Sequence, residues 1–265
     1  MNTTFILNHQ IHNSQNLDKL PAILLIPGFT GTLEVWNLTI QTLIDKKLPN
    51  PIIAIDNLGA GKNPDIEKLE FTTTLMAEFI LDLIKHLNLP KIILIGHSLG
   101  GAIAQAITIS QPKLVEQLFL VSSFAKLDNV ACNFLSSRVD LAKVNTDKTL
   151  IAKAVIPSLF ANQFLSNQQN INFAITRFLS NPQTVTGMYA QFCACVTHNL
   201  LDEIKQINTK TIIISGEDDI LVNKKHSLTL QRNITSSDLI TIPSCGHMVP
   251  IEKAQELSQI ILDNF

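Results

Sequence analysis

The sequence predicts an α/β protein: a mostly parallel central sheet flanked by helices, interrupted once by an inserted helical cap. Three observations carry this expectation. Short Ile/Leu/Val-rich runs recur along the chain, several bounded by Pro, Gly or Asn. Amphipathic segments with helical spacing lie between them. Charged residues make up only 16% of 265 and apolar ones 46%, against a usual charged share of about a quarter. Strands buried on both faces produce that bias.

The runs are Ala22–Ile26, Ile52–Ile55, Ile92–Ile95, Leu118–Val121, Ile212–Ile214 and Leu239–Ile242. Their shortness and uninterrupted apolarity mark fully buried strands. A helix is expected from Glu34 to Asp45, and a last one from Glu252 to Leu262. Between the second and third runs, Leu75, Phe79, Leu83 and Leu87 share one helical face, with cap hydroxyls at Thr72 to Thr74 just ahead. Strand–helix alternation of this kind gives a parallel sheet with helices on both sides. Such sheets bind ligands beyond the carboxyl ends of their strands, so chemistry belongs on the loops that follow strands.

The alternation breaks between Phe124 and His198, where the pattern is helical throughout and no linker-like stretch flanks it. This predicts a core formed by residues 1–123 and 199–265, with 124–198 inserted as a cap. The cap carries six basic residues (Lys126, Arg138, Lys143, Lys148, Lys153, Arg177) against Asp128, Asp140 and Asp147, while the whole chain has net charge −2. A positive lid on an acidic body steers anionic substrates or partners.

No lysine- or arginine-rich run is present, so the footprint of a nucleic-acid binder is missing. Cys132, Cys193, Cys195 and Cys245 have neither CxxC nor zinc spacing and are read as reduced thiols. The first residues lack a basic segment and a long apolar one, and no stretch reaches the ~18 residues of a membrane span. A cytoplasmic protein with no metal and no cofactor is expected.

The strongest chemical signal is Gly96-His97-Ser98-Leu99-Gly100, placed between an apolar run and the small–apolar pattern of a helix. A serine at such a strand-to-helix turn projects its hydroxyl from the backbone. Glycines at 96 and 100 let strand and helix approach, and the helix N-terminus favours negative charge. A serine hydroxyl needs a base. Of seven histidines, His247 stands directly after the last predicted strand and before the last helix, whereas His97, on the tight turn itself, is read as structural. An acid is expected after the preceding strand, where Glu217, Asp218 and Asp219 are equally placed.

With its order Ser…Asp…His, the chain resembles the α/β-hydrolase superfamily over nearly its whole length. Pro27-Gly28-Phe29-Thr30-Gly31 resembles the oxyanion turn, with proline replacing the family's histidine, and Trp36 falls where these proteins often carry tryptophan. Asp56-Asn57-Leu58-Gly59-Ala60-Gly61 is similar to the Asp-x-x-Gly-x-Gly turn, with Lys62 replacing the usual serine. Gly216-Glu217-Asp218-Asp219 resembles the acid motif and selects Asp219; Gly246-His247 resembles the base motif.

The resemblance implies a catalytic triad of Ser98, Asp219 and His247, and an oxyanion hole of the Phe29 and Leu99 backbone N–H groups. It extends to small capped carboxylesterases, including pimeloyl-acyl-carrier-protein methyl ester esterases of biotin synthesis. Arg138, Lys143, Lys153 and Arg177 are then candidate contacts for an acidic acyl carrier protein. The serine excludes haloalkane dehalogenases and epoxide hydrolases, which use aspartate there. A ligand receptor on the same scaffold, or a carbon–carbon bond hydrolase, would share the triad.

Overall fold

The computed structural model describes residues 5–63, 71–144, 147–181 and 183–265. Seven strands form one sheet: β1 (His9–His12), β2 (Ala22–Ile26), β3 (Ile52–Ile55), β4 (Ile92–His97), β5 (Val115–Val121), β6 (Lys210–Gly216) and β7 (Ser237–Ile242). Their order is β1-β3-β2-β4-β5-β6-β7. Only β1 runs antiparallel, paired with β3. The remaining neighbours are parallel.

The helices are α1 (Asn37–Asp45), α2 (Thr73–His86), α3 (Leu99–Ser110), α4 (Asn129–Lys143), α5 (Lys148–Val155), α6 (Asn162–Leu165), α7 (Gln168–Ser180), α8 (Val185–Thr197), α9 (Lys224–Asn233), α10 (Val249–Glu252) and α11 (Ala254–Asp263). Successive strand residues point to opposite faces, which splits the core in two. Leu24, Ile26 and Leu94 pack with Met76, Ile80 and Leu83 of α2 and Ile103 and Ile107 of α3. Ile23, Leu25, Ile93 and Ile95 pack on the other face with Trp36, with Ile40 and Leu43 of α1, and with Leu257 and Ile261 of α11. Burying each such side chain stabilises the fold by about 1.5–3 kcal/mol relative to leaving it exposed.

The expected helix at 34–45 opens as a 3₁₀ turn over Leu33–Trp36 before α1. The expected helix at 252–262 divides into α10 and α11. In α2 the buried face is Met76, Ala77, Ile80, Leu83 and Ile84, one step round from the expected Leu75, Phe79, Leu83 and Leu87. The helix is apolar over a wide arc, and its flank is covered by Phe5, whose ring lies 6.0 Å from that of Phe79. Thr72 caps it, accepting from the Leu75 N–H at 3.1 Å.

Between β5 and β6 the chain forms α4 to α8, with no strand among the described residues. A bridge between Lys126 and Asn199 and a bond from Leu200 N–H to Ala125 O (3.0 Å) tie the two ends of this segment together.

Candidate active site

Ser98 sits between β4 and α3 with φ 54° and ψ −118°. A non-glycine residue holds such a conformation only when its surroundings enforce it. Here they do: a Cβ at Gly96 would collide with the Gly100 carbonyl, and one at Gly100 with the carbonyl of Ile26 on the neighbouring strand. Strand, turn and helix therefore meet backbone to backbone. The Ser98 N–H donates to Val121 O at 2.8 Å, which pins the turn to β5.

Asp219 follows β6. Its Oδ1 accepts from the N–H groups of Leu221 (3.0 Å) and Val222 (2.8 Å), and its Oδ2 faces Nδ1 of His247 at 2.8 Å. An ionised carboxylate only accepts, so Nδ1 carries the proton and the lone pair is left on Nε2. Glu217 and Asp218, equally placed by sequence, are exposed. The loops bearing Asp219 and His247 are stitched together by Glu217 N–H to Ile242 O (2.9 Å) and Asp218 N–H to Cys245 O (2.8 Å).

Ser98 and His247 line one cavity of about 140 Å³, with Gly28 and Phe29. Among the described residues the Ser98 hydroxyl makes no hydrogen bond to the His247 ring; such contacts commonly close only with substrate bound. The N–H groups of Phe29 and Leu99 carry no acceptor among the described residues. Leu99 opens α3, where the helix dipole favours an anion.

His97 does more than shape the turn. Its ring faces the backbone carbonyl of His247 at 2.9 Å through Nε2, which must therefore be the N–H donor. Nδ1 is sealed without a partner. Burial, with His247 beside it, pushes the His97 pKa down to about 3, so the ring is neutral.

The turn after β2 is held by residues that sequence reasoning gave no role. Asn57 Nδ2 donates to Pro27 O (2.7 Å) and Gly28 O (2.9 Å). Asp56 accepts from the Leu33 N–H at 2.9 Å. Thr30, also at positive φ (58°), is clamped from the inserted helices: its N–H donates to Gln191 Oε1 (2.6 Å) and its carbonyl accepts from Asn181 Nδ2 (2.7 Å). Glu252 accepts from the N–H groups of Gly246 (3.0 Å) and Ala161 (2.9 Å), joining the loop that bears His247 to the turn before α6. Gln191, Asn181 and Glu252 stand in no motif, so only the folded structure exposes their roles.

The four basic residues considered as carrier-protein contacts divide. Lys143 and Lys153 are exposed, and Lys143 is paired with Asp140 at 3.2 Å. Arg177 is half-buried in the cavity wall. Arg138 is 7% exposed, so its side chain is an interior group rather than one open to a carrier protein. Its guanidinium lies 5.0 Å from the centre of the Phe29 ring and 5.9 Å from that of Phe178. Burial lowers its pKa to about 10, so it stays cationic at neutral pH. Two cation–π contacts return about 0.5–2 kcal/mol each, less than the several kcal/mol that desolvating an unpaired ion costs.

Of the apolar residues of the insertion, Leu135, Ile156, Leu159, Phe160 and Phe178 line the cavity, whereas Phe173 is exposed. No group of three or more metal-ligating side chains is assembled among the described residues, and none of their helices is long and apolar enough to cross a membrane.

The alpha/beta hydrolase fold family matches residues 21–254. A protein of Agrobacterium fabrum provisionally named carbamate hydrolase RutD is 25% identical over 92% of this chain and 92% of its own. One of Haemophilus influenzae provisionally named esterase/lipase is 26% identical over 94% of this chain and 84% of its own. Among solved structures, a provisionally named non-haem bromoperoxidase BpoC of Mycobacterium tuberculosis superposes with TM-score 0.85 at 20% identity, over 99% of this chain and 97% of that one.

Proposed function

The chain belongs to the alpha/beta hydrolase fold family, and on that premise we propose that it is a serine esterase cleaving carboxylic esters through Ser98, His247 and Asp219. The observation that carries this reading is the 2.8 Å contact between His247 Nδ1 and Asp219 Oδ2. It leaves a basic Nε2 in the wall of a cavity that Ser98 shares. An imidazole held in that tautomer beside a strained serine is what nucleophilic acyl transfer needs.

Ser98 Oγ attacks the ester carbonyl while His247 Nε2 takes its proton. The oxyanion of the tetrahedral intermediate rests on the N–H groups of Phe29 and Leu99, where each donor contributes about 10²–10³ in rate. The protonated imidazole passes its proton to the departing alcohol. Water, deprotonated by the same ring, then hydrolyses the acyl-serine and restores the hydroxyl. Residues 124–198 act as a lid, since they supply one wall of the cavity.

The names of the relatives in Agrobacterium and Haemophilus support hydrolysis at a carbonyl carbon; the likeness to the bromoperoxidase speaks to fold alone. The burial of Arg138 removes one of the four cationic residues on which an acidic carrier partner was expected, and a small-molecule ester is the substrate proposed here. Four free cysteines suit a reducing compartment such as the cytoplasm.

The test is a panel of p-nitrophenyl esters with acyl chains of two to eight carbons. Multiple turnover, with labelling of Ser98 by a fluorophosphonate and loss of both in Ser98→Ala, is expected. Full activity in that variant refutes the assignment, and a single slow turnover favours a receptor.

A further inference from the structure

We propose that Arg138 is the anchor for a carboxylate carried by the substrate, so that the preferred esters are those of dicarboxylic or hydroxy acids bearing one free carboxylate near the scissile bond. The inference rests on the serine-esterase reading of the same cavity.

Arg138 lines both the cavity that holds Ser98 and His247 and an adjoining one of about 120 Å³, with Thr30, Phe178 and Asn181 shared between them. The guanidinium thus stands where the two spaces meet. Its Nε is sealed without a partner, and Nη2 makes only a long 3.4 Å contact with Thr30 Oγ1. Among the described residues no carboxylate accepts from it. The acid in the wall of the main cavity, Glu34, acts on Arg177, and no acid lines the adjoining cavity, where Lys148 adds a second cation. Among the described residues Arg138 is thus a buried cation with no paired acid. A buried guanidinium with unused donors is built for a planar, two-oxygen anion.

Size limits the substrate further. A cavity of ~150 Å³ takes a benzene-sized group, so the main space of about 140 Å³ suits an acyl portion of four to six carbons. The free carboxylate is then placed a short chain away from the carbonyl attacked by Ser98.

Two matched ester pairs test this by pH-stat hydrolysis. Monomethyl glutarate against methyl valerate puts the charge on the acyl side; O-butyrylglycolate against ethyl butyrate puts it on the alcohol side. In the wild-type protein one charged ester is expected to exceed its neutral partner at least tenfold in kcat/KM. Arg138→Gln should abolish that preference, chiefly through KM of the charged ester, and Arg138→Lys should recover part of it. Absence of preference in both pairs overturns the proposal. So does an equal loss on all four esters, which would make Arg138 a prop for the turn at Thr30. Calorimetry of the same esters with Ser98→Ala protein keeps the question open to decision if Arg138→Gln fails to fold or if no ester is turned over. Binding of a charged ester at least tenfold tighter than its neutral partner supports the anchor, and equal binding sinks it. Failure of the esterase reading alone would appear as binding without turnover in the wild type.

Discussion

The Nε2–H of His97 donates to the backbone carbonyl of His247 at 2.9 Å, so the residue preceding the serine holds the residue proposed as base. The two rings lie 4.9 Å apart, and Trp36 meets the His97 ring edge-on at 6.5 Å. His97 therefore transmits the position of β4 to the loop after β7.

Replacing it tests that link. In His97→Ala the His247 carbonyl loses its donor, and a neutral buried bond contributes about 1 kcal/mol. A roughly tenfold fall in kcat is expected, with KM little changed. His97→Asn, whose amide can donate, should recover part of the rate. Equal kcat in all three proteins would reduce His97 to packing.

Asp219→Asn separates orientation from charge. An amide at 219 can present its NH₂ to Nδ1, which turns the imidazole to the tautomer with its proton on Nε2 and blocks it as a base. In the serine-protease triad the corresponding change costs about 10⁴ in rate, and a loss of 10²–10⁴ in kcat is expected here. Binding of a non-hydrolysable phosphonate ester at the cavity should persist. An Asn variant with near wild-type turnover would remove Asp219 from the mechanism.

The six parallel strands were legible from their apolar runs; β2 and β3 are buried along their whole length and carry no polar residue. β1 was not: His9-Gln10-Ile11-His12 contains one apolar residue and lies on the edge, where one face of pairing suffices. The elbow at Ser98 was legible for a steric reason, since only glycine fits at 96 and 100. Its supports were not. Gln191 is 161 residues from Thr30, and nothing local distinguishes a glutamine that will clamp a distant turn from one that faces water. The burial of Arg138 was not legible, because sequence gives the charge of a helix residue but not the side it faces. Here α4 turns Leu135, Arg138 and Val139 inward together.

Acid should destabilise the protein through two buried imidazoles. Burial lowers His97 to about 3 and His198 to about 4, both below the unfolded value near 6.5. Their contribution is fully present above pH 6.5 and is lost as pH falls from there toward 4 and 3, because the unfolded chain binds protons that the folded one refuses. Each group contributes a slope of up to about 1.4 kcal/mol per pH unit. Glu252, raised by burial, opposes this weakly near its own titration. Urea unfolding at pH 7 and pH 5 should show a clear loss of stability at the lower pH. The loss should fall by about half in His198→Gln, which removes the ring packed at 2.8 Å from Thr73 Oγ1. An unchanged pH dependence in that variant would locate the acid sensitivity elsewhere.

Gln191 couples the inserted helices to the turn that bears Phe29. Its Oε1 accepts from the Thr30 N–H at 2.6 Å, its Nε2 donates to Leu58 O at 2.7 Å, and the side chain is fully buried. Gln191→Ala strands both backbone groups away from water, at about 1–3 kcal/mol each, so a fall of roughly 2–6 kcal/mol in unfolding free energy is expected. Thr30 stands at φ 58°, a conformation that relaxes when its clamp is removed, and Phe29 precedes it directly. A loosened donor at Phe29 should lower kcat about tenfold while KM moves little, because the donor matters when the oxyanion forms. Gln191→Glu keeps the acceptor for Thr30 but loses the donor for Leu58 O. It should retain more kcat than the alanine variant even though it is also destabilised. If the two variants lose activity only in proportion to the fraction unfolded, the clamp serves stability alone and the turn holds its shape without it.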